Sequence, residues 1–218
     1  MDGTVRDVIE TIGILSFAVT GMIVAQKAGV NPAGTYLVAL FAGMGGGTLR
    51  DVMLDVRPFL WEKQPLYPVV IFLLSLGYVF WSRAHAFLSQ PKHIVFATIE
   101  VVAAASLGIA GAVKADSLGQ QWLMVVIYGV ISGSFGGVAR DMLVNEMPLL
   151  FRVGEWLAGA LLIGCLVLVG LEAAGASAYL SSGIGAALII GIRLTAVLRQ
   201  RHQHLIPVTQ TASVEAPR

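Results

Sequence analysis

Charge is scarce in this chain. Only 12% of its 218 residues are Asp, Glu, Lys or Arg, while 56% are hydrophobic, and the mean hydropathy is +0.80. Soluble domains run near one quarter charged, so the composition excludes an ordinary water-exposed globule and points to an integral membrane protein. A net charge of +1 excludes the basic footprint of a nucleic-acid binder. Histidine is equally thin: His85, His93, His202 and His204 are too few and too scattered for a metal site. The single Cys165 lies inside an apolar run, where it can form no intramolecular disulfide and is expected to be a buried, inert thiol. No GxSxG elbow, metal-spaced His/Cys set or Walker loop is present. An enzyme is therefore not expected, and neither is a cofactor.

What the chain has is apolar length. Seven runs approach the roughly 20 residues needed to span a bilayer: Val8–Ala25, Ala33–Val56, Leu66–Trp81, Ile94–Val113, Trp122–Val144, Val153–Leu171 and Tyr179–Leu198. Turn residues separate them, among them Asn31-Pro32, Pro58 through Pro68, Gln90-Pro91-Lys92 and Asp116 through Gln121. The runs are apolar around their whole circumference, whereas barrel strands alternate with period two. An all-α integral membrane fold with seven spans follows. The first stretch carries Asp2, Asp7 and Glu10 where a secretory signal needs basic residues, so it reads as a span. Trp61, Trp81, Trp122 and Trp156 fall at predicted helix ends, as interfacial aromatics do. Small residues at four-residue spacing, Ala104/Gly108/Ala112 and Gly183/Ala187/Gly191, read as helix-packing faces.

One pattern occurs twice, 90 positions apart. Gly43-Met44-Gly45-Gly46-Gly47-Thr48-Leu49-Arg50-Asp51 is matched by Gly133-Ser134-Phe135-Gly136-Gly137-Val138-Ala139-Arg140-Asp141. The echo extends to Glu10/Glu100, Ser16/Ser106, Gly21/Gly111, Gly29/Gly119, Pro58/Pro148 and Leu60/Leu150. The chain therefore divides into a three-helix repeat over 1–90, a second over 91–176, a seventh helix over 177–200 and a tail over 201–218, expected to be disordered. An odd number of spans per repeat inverts the second copy, the arrangement that places a working site at the repeat interface. Lys27, Arg83, Lys92, Arg152, Arg199 and Arg201 fall on one side, which the positive-inside rule makes cytoplasmic, leaving the amino terminus outside.

The glycine runs are expected to break the second and fifth helices inside the membrane, about 20 Å along the second at 1.5 Å per residue. A break there must be buried in protein or line water. Its freed carbonyls near Gly43–Met44 suit a cation, and Ser132 and Ser134 supply further oxygens. The alternative is that the glycines only permit close helix packing. Adjacent helical residues point about 100° apart, so Arg50 is expected to pair with Asp141 and Arg140 with Asp51 across the repeats. Intramembrane charges cost about 2.5–3.5 kcal/mol each and are functional by default. Against this stand snorkelling arginines and a capping box between Thr48 and Asp51. Glu10 and Glu100 are either helix-end residues or cation attractors at a pore mouth. Lys114 and Asp116 read as loop or interface charges.

The two motifs, with Glu10 and Glu100, resemble the prokaryotic trimeric intracellular cation (TRIC) channels, a family that overlaps bacterial membrane proteins labelled glycine transporters. The resemblance covers roughly Val8 to Leu198. It implies two inverted three-helix bundles plus one helix, and a homotrimer in which each protomer has its own water-filled pore lined by kinked second and fifth helices. The second copy departs from the triple glycine, with Phe135 where Gly45 stands, which makes Phe135 a candidate plug or gate.

The leading expectation is a channel for small monovalent cations, potassium first and sodium second, in the lipid of a prokaryotic inner (plasma) membrane. Its pathway residues are Glu10, Gly45, Gly46, Gly47, Thr48, Arg50, Asp51, Glu100, Ser132, Gly133, Ser134, Gly136, Gly137, Arg140 and Asp141. The alternatives are a secondary transporter of a small zwitterion such as glycine and a non-conducting assembly protein.

Overall fold

Runs that are apolar on every side can satisfy their backbone in lipid only as helices or closed barrels, and every regular element among the described residues is helical. The computed structural model describes residues 3–84, 93–153 and 155–204. Among the described residues there are seven long helices: α1 (Gly3–Lys27), α2 (Pro32–Met53), α4 (Leu66–Ala84), α5 (His93–Ser117), α6 (Trp122–Leu143), α7 (Leu157–Ala173) and α8 (Ala178–His204). A four-residue α3 (Leu60–Lys63) and a 3-10 turn at Leu149–Phe151 complete the set. Four helices, α1, α5, α6 and α8, contain spans long and apolar enough to cross a membrane, while α4 and α7 supply shorter apolar segments.

The 90-residue spacing holds for helix ends as well as residues. α5 begins and ends 90 positions after α1, and α6 does the same after α2. Gly29 and Gly119 both sit at φ +71° where the first helix of each pair ends, a backbone conformation that favours glycine. Asp55 and Asn145, just beyond the second helix of each pair, are both left-handed. Even the 3-10 turn falls near the counterpart of α3.

Four helices, α1, α2, α5 and α6, form the centre, with α4 against α2 and α7 against α6. α8 has no counterpart and packs on α5 and α7. Phe17, Met22, Ala39, Ala42, Leu107 and Leu161 fill the interior. Cys165 lies within it, as expected of an inert thiol. On α5, Gly108 and Gly133 of α6 approach closely, as the small-residue spacing requires. On α8 the packed glycine is Gly185, against the Gly164 carbonyl, whereas Gly183 and Gly191 meet nothing within the protomer.

Three other expectations change. α2 and α6 are unbroken: Gly45–Gly47 and Gly136–Gly137 are helical like their neighbours. Glycine costs a helix only about 1 kcal/mol relative to alanine, and here close packing offsets it. Thr48 therefore lies inside a helix and caps nothing; the cap of α2 is Asn31, whose side chain accepts from the Gly34 amide at 2.7 Å. α8 runs four residues past the expected end at 200. The tail from 205 onward and the turn at Gln90-Pro91-Lys92 lie outside the described residues.

Candidate functional site

The glycines meet where α2 crosses α6. A Cβ on Gly46 would strike the carbonyl oxygen of Ser132, and one on Gly136 would strike that of Ala42. These two contacts are exchanged by the 90-residue shift, the signature of a two-fold relation. Gly43 and Gly133 do the same for α1 and α5: a Cβ there would lie 2.8 Å from the Ile14 carbonyl oxygen and 2.6 Å from that of Ala104. Removing side chains brings backbones together, and close packing is what the glycines do here.

One turn beyond the crossing, at each end of the bundle, lies a buried charge cluster. Arg50 is fully buried, donating from Nε to Asp51 Oδ1 at 2.8 Å and from Nη2 to Glu10 Oε1 at 2.9 Å. Arg140 repeats this with Asp141 at 2.7 Å and Glu100 at 2.8 Å. The expected exchange of partners between repeats does not occur. Each arginine is long and flexible enough to fold its Nε back onto the neighbouring carboxylate, despite the 100° between their Cα–Cβ directions. The repeats are linked instead by hydroxyls: Arg50 Nη1 donates to Ser132 Oγ at 3.3 Å, and Arg140 Nη1 to Thr20 Oγ1 at 2.9 Å. Neither arginine snorkels. Glu10 and Glu100, each less than 5% exposed, lie within α1 and α5 and supply the second carboxylate of each cluster. Ser134 turns back to the Val130 carbonyl at 2.6 Å.

The two clusters are alike in geometry and unlike in charge. Lys114, on α5, donates to Asp51 Oδ1 at 2.8 Å; its counterpart on α1 is Val24. The Glu10–Arg50–Asp51 cluster thus has a second cation in ion-pair contact; among the described residues the Glu100–Arg140–Asp141 cluster pairs with none besides its arginine, while Lys27, Arg152 and Arg193 stand around the same vestibule. Lys114, expected to be a loop or interface charge because it has no basic echo in the other repeat, lies on α5 and joins this cluster.

The surroundings differ too. Beside Asp51 a pocket of about 10 Å³, barely one water, is lined by Glu10, Ile14, Gly47, Leu60, Trp61 and Leu107 among others. Beside Asp141 a vestibule of about 300 Å³ opens, walled by Glu100, Arg140 and Asp141 and rimmed by Lys27, Glu146 and Arg152. α8 adds Arg193, buried and ion-paired with Glu155. Phe135 stands apart from both: it is 36% exposed and lies against Gly45 in an apolar groove with Leu40, Phe41, Met44 and Trp61. Phe135 lines that groove.

A pseudo-symmetric bundle of apolar helices with a buried charge cluster at each end is the architecture of an integral membrane protein. The chain belongs to the family whose model is described as "Glycine transporter", which matches residues 3–83 and 97–173. It is 30% identical over 194 residues to the UPF0126 inner membrane protein YadS of Escherichia coli, covering 88% of each chain. A UPF0126 membrane protein of Vibrio cholerae is 31% identical over 195 residues, covering 87% of this chain and 79% of that one. Among solved structures, the TRIC trimeric intracellular cation channel orthologue from Rhodobacter sphaeroides superposes with a TM-score of 0.83 at 29% identity, covering 90% of this chain and 99% of that one. A second structure, described as the basis for conductance through TRIC cation channels, gives 0.72 at 26% identity, covering 97% of this chain and 98% of that one. These neighbours are channels, not enzymes.

Proposed function

We propose that the chain is a channel for monovalent cations, with potassium the main permeant ion and sodium a second. The path runs from one cluster to the other between α1, α2, α5 and α6. The observation that carries this reading is the uneven charge of the two clusters. Glu100 and Asp141 share a single arginine at the wall of an open vestibule, with no ammonium paired to Asp141 among the described residues as Lys114 is to Asp51. A passing cation does there what the Lys114 ammonium does at Asp51. At the crossing of α2 and α6 the glycine faces touch, so the path is shut there, and conduction requires the two helices to part. Arg50 and Arg140 hold the carboxylates in place, and their fixed charge sets the barrier a cation meets.

The protein is read as two inverted repeats plus α8, assembled as a homotrimer with a pathway in each protomer. Its amino terminus is outside and its carboxyl terminus cytoplasmic, since Lys27 and Arg152 sit at the vestibule end. Support comes from the repeated geometry, the loop charges and the likeness to the trimeric intracellular cation channel structures. Purified protein in planar bilayers is expected to give unitary currents in potassium chloride; silent bilayers from protein that is folded and assembled would count against the reading.

A carrier for a small zwitterion is the second reading, and one observation favours it. The vestibule presents acids and bases in equal number, Glu100, Asp141, Glu146 and Glu155 with Lys27, Arg140, Arg152 and Arg193, while the far end is closed. One open and one closed end is also the posture of alternating access. Saturable uptake of labelled glycine into proteoliposomes, without ohmic current, would reverse the order.

A further inference from the structure

The two halves carry the same loop after the second helix, in two different positions. In both, the residue five beyond the aspartate returns its amide to the aspartate carbonyl, Val56 to Asp51 and Glu146 to Asp141, each at 2.9 Å. Then they diverge. At the vestibule end the Leu149 amide donates to Asp141 Oδ2 at 3.0 Å, and Phe151 points outward, 61% exposed. At the other end the matching amide, of Phe59, donates to Glu62 Oε2 at 2.7 Å. The counterpart of Phe151 is Trp61, 37% exposed, which with Leu60 lines the pocket beside Asp51. Phe59 is buried and stacks on Trp61, ring centroids 5.7 Å apart. Where Glu62 stands, the other half has Arg152, which can accept no amide.

We infer that Glu62 is the positioning residue that holds α3 as a closed lid over the end of the pathway beside Asp51. The open position of that lid is the one its counterpart already occupies. With Glu62 disengaged, the Phe59 amide transfers to Asp51, as Leu149 has to Asp141, and α3 carries Trp61 away from the pocket. A pseudo-symmetric molecule whose halves occupy different positions of one device has both positions available to each half, with ligands shifting the balance between them. The inference rests on the reading of a path through both clusters, but its test measures access and not flux, so a failure of either is visible separately.

The test uses the full chain with Ile14→Cys, a buried residue that lines the small pocket, and a charged water-soluble methanethiosulfonate reagent. Reaction is expected to be slow with Glu62 present. Glu62→Ala is expected to accelerate it about tenfold, the scale of one hydrogen bond from a backbone amide to a charged acceptor. Glu62→Gln, whose amide oxygen still accepts from Phe59, is expected to restore the slow rate. In the chain without Ile14→Cys, native Cys165, buried between α6 and α7, reports whether Glu62→Ala has loosened the whole bundle, and it is expected to stay unreactive. Equal rates in the Ala and Gln variants would overturn the inference, and so would acceleration matched by exposure of Cys165.

Discussion

Arg50 and Arg140 are the largest fully buried side chains described, and nearly every conclusion about the site begins with what they touch. Each is bound by two carboxylates and a hydroxyl, so deleting Arg140 leaves two buried acids without an ion-pair partner, whereas deleting Arg50 leaves Asp51 still paired with Lys114. Breaking a buried pair costs about 3–5 kcal/mol, and Arg140→Ala is expected to lower the unfolding midpoint in detergent accordingly, with Glu100→Gln in the same chain recovering part of the loss. From sequence, the same substitution would be expected to spare the assembly and alter only conductance; the three partners of Arg140 show why stability is at stake as well. Lys114 has the opposite role, as the charge that one half has and the other lacks. Lys114→Val copies the Val24 side and is expected to raise potassium conductance several-fold in bilayer recordings, while loss of current would show the lysine to be required. The acids and arginines of the site were legible from the repeat, since charges that recur at the same place in two apolar helices have few explanations. Their pairing was not. Helical angle alone ignores the reach of a guanidinium, and Lys114 was hidden because it breaks the symmetry that revealed the others.

At the scale of elements, glycine was the ambiguous signal. A triple glycine in a membrane span serves either to open a helix or to bring two helices into contact, and the sequence pattern is identical for both. The Ser132 and Ala42 carbonyls decide for contact, because each lies where a Cβ would be. Gly46→Ala and Gly136→Ala are therefore expected to force α2 and α6 apart, at the cost of about 1–3 kcal/mol typical of overpacking. Gly45→Ala, whose Cβ would rest 3.8 Å from that of Ala139, is expected to be nearly neutral. Unfolding curves of the three variants check this directly; a Gly45→Ala loss as large as that of Gly46→Ala would contradict it. The long helices were readable from their apolar runs to within a few residues, because lipid imposes both their length and their polarity. α3 was not: four residues between prolines carry no period.

At the scale of the whole molecule, the repeat is the organising fact. It sets equal lengths for the first two helices of each half, equal left-handed turns and reciprocal glycine contacts, and it makes the differences informative. One end is sealed by Lys114 and the α3 lid, while the other opens as a vestibule. α8 lies outside the symmetry and brings Arg193 to the open end only. The orientation proposed from the basic residues predicts that Lys63→Cys reacts with an impermeant thiol reagent on intact cells, whereas Glu146→Cys reacts only after permeabilisation. The reverse pattern would place the vestibule on the outer face.

The central claim is that a cation replaces, at Glu100 and Asp141, the ammonium that Lys114 supplies at Asp51. Single-protein recording in planar bilayers under a potassium gradient tests it most directly. The account predicts unitary currents reversing near the potassium equilibrium potential and sharply reduced by Asp141→Asn. Well-assembled protein that carries no current, or currents indifferent to Asp141→Asn, would contradict it.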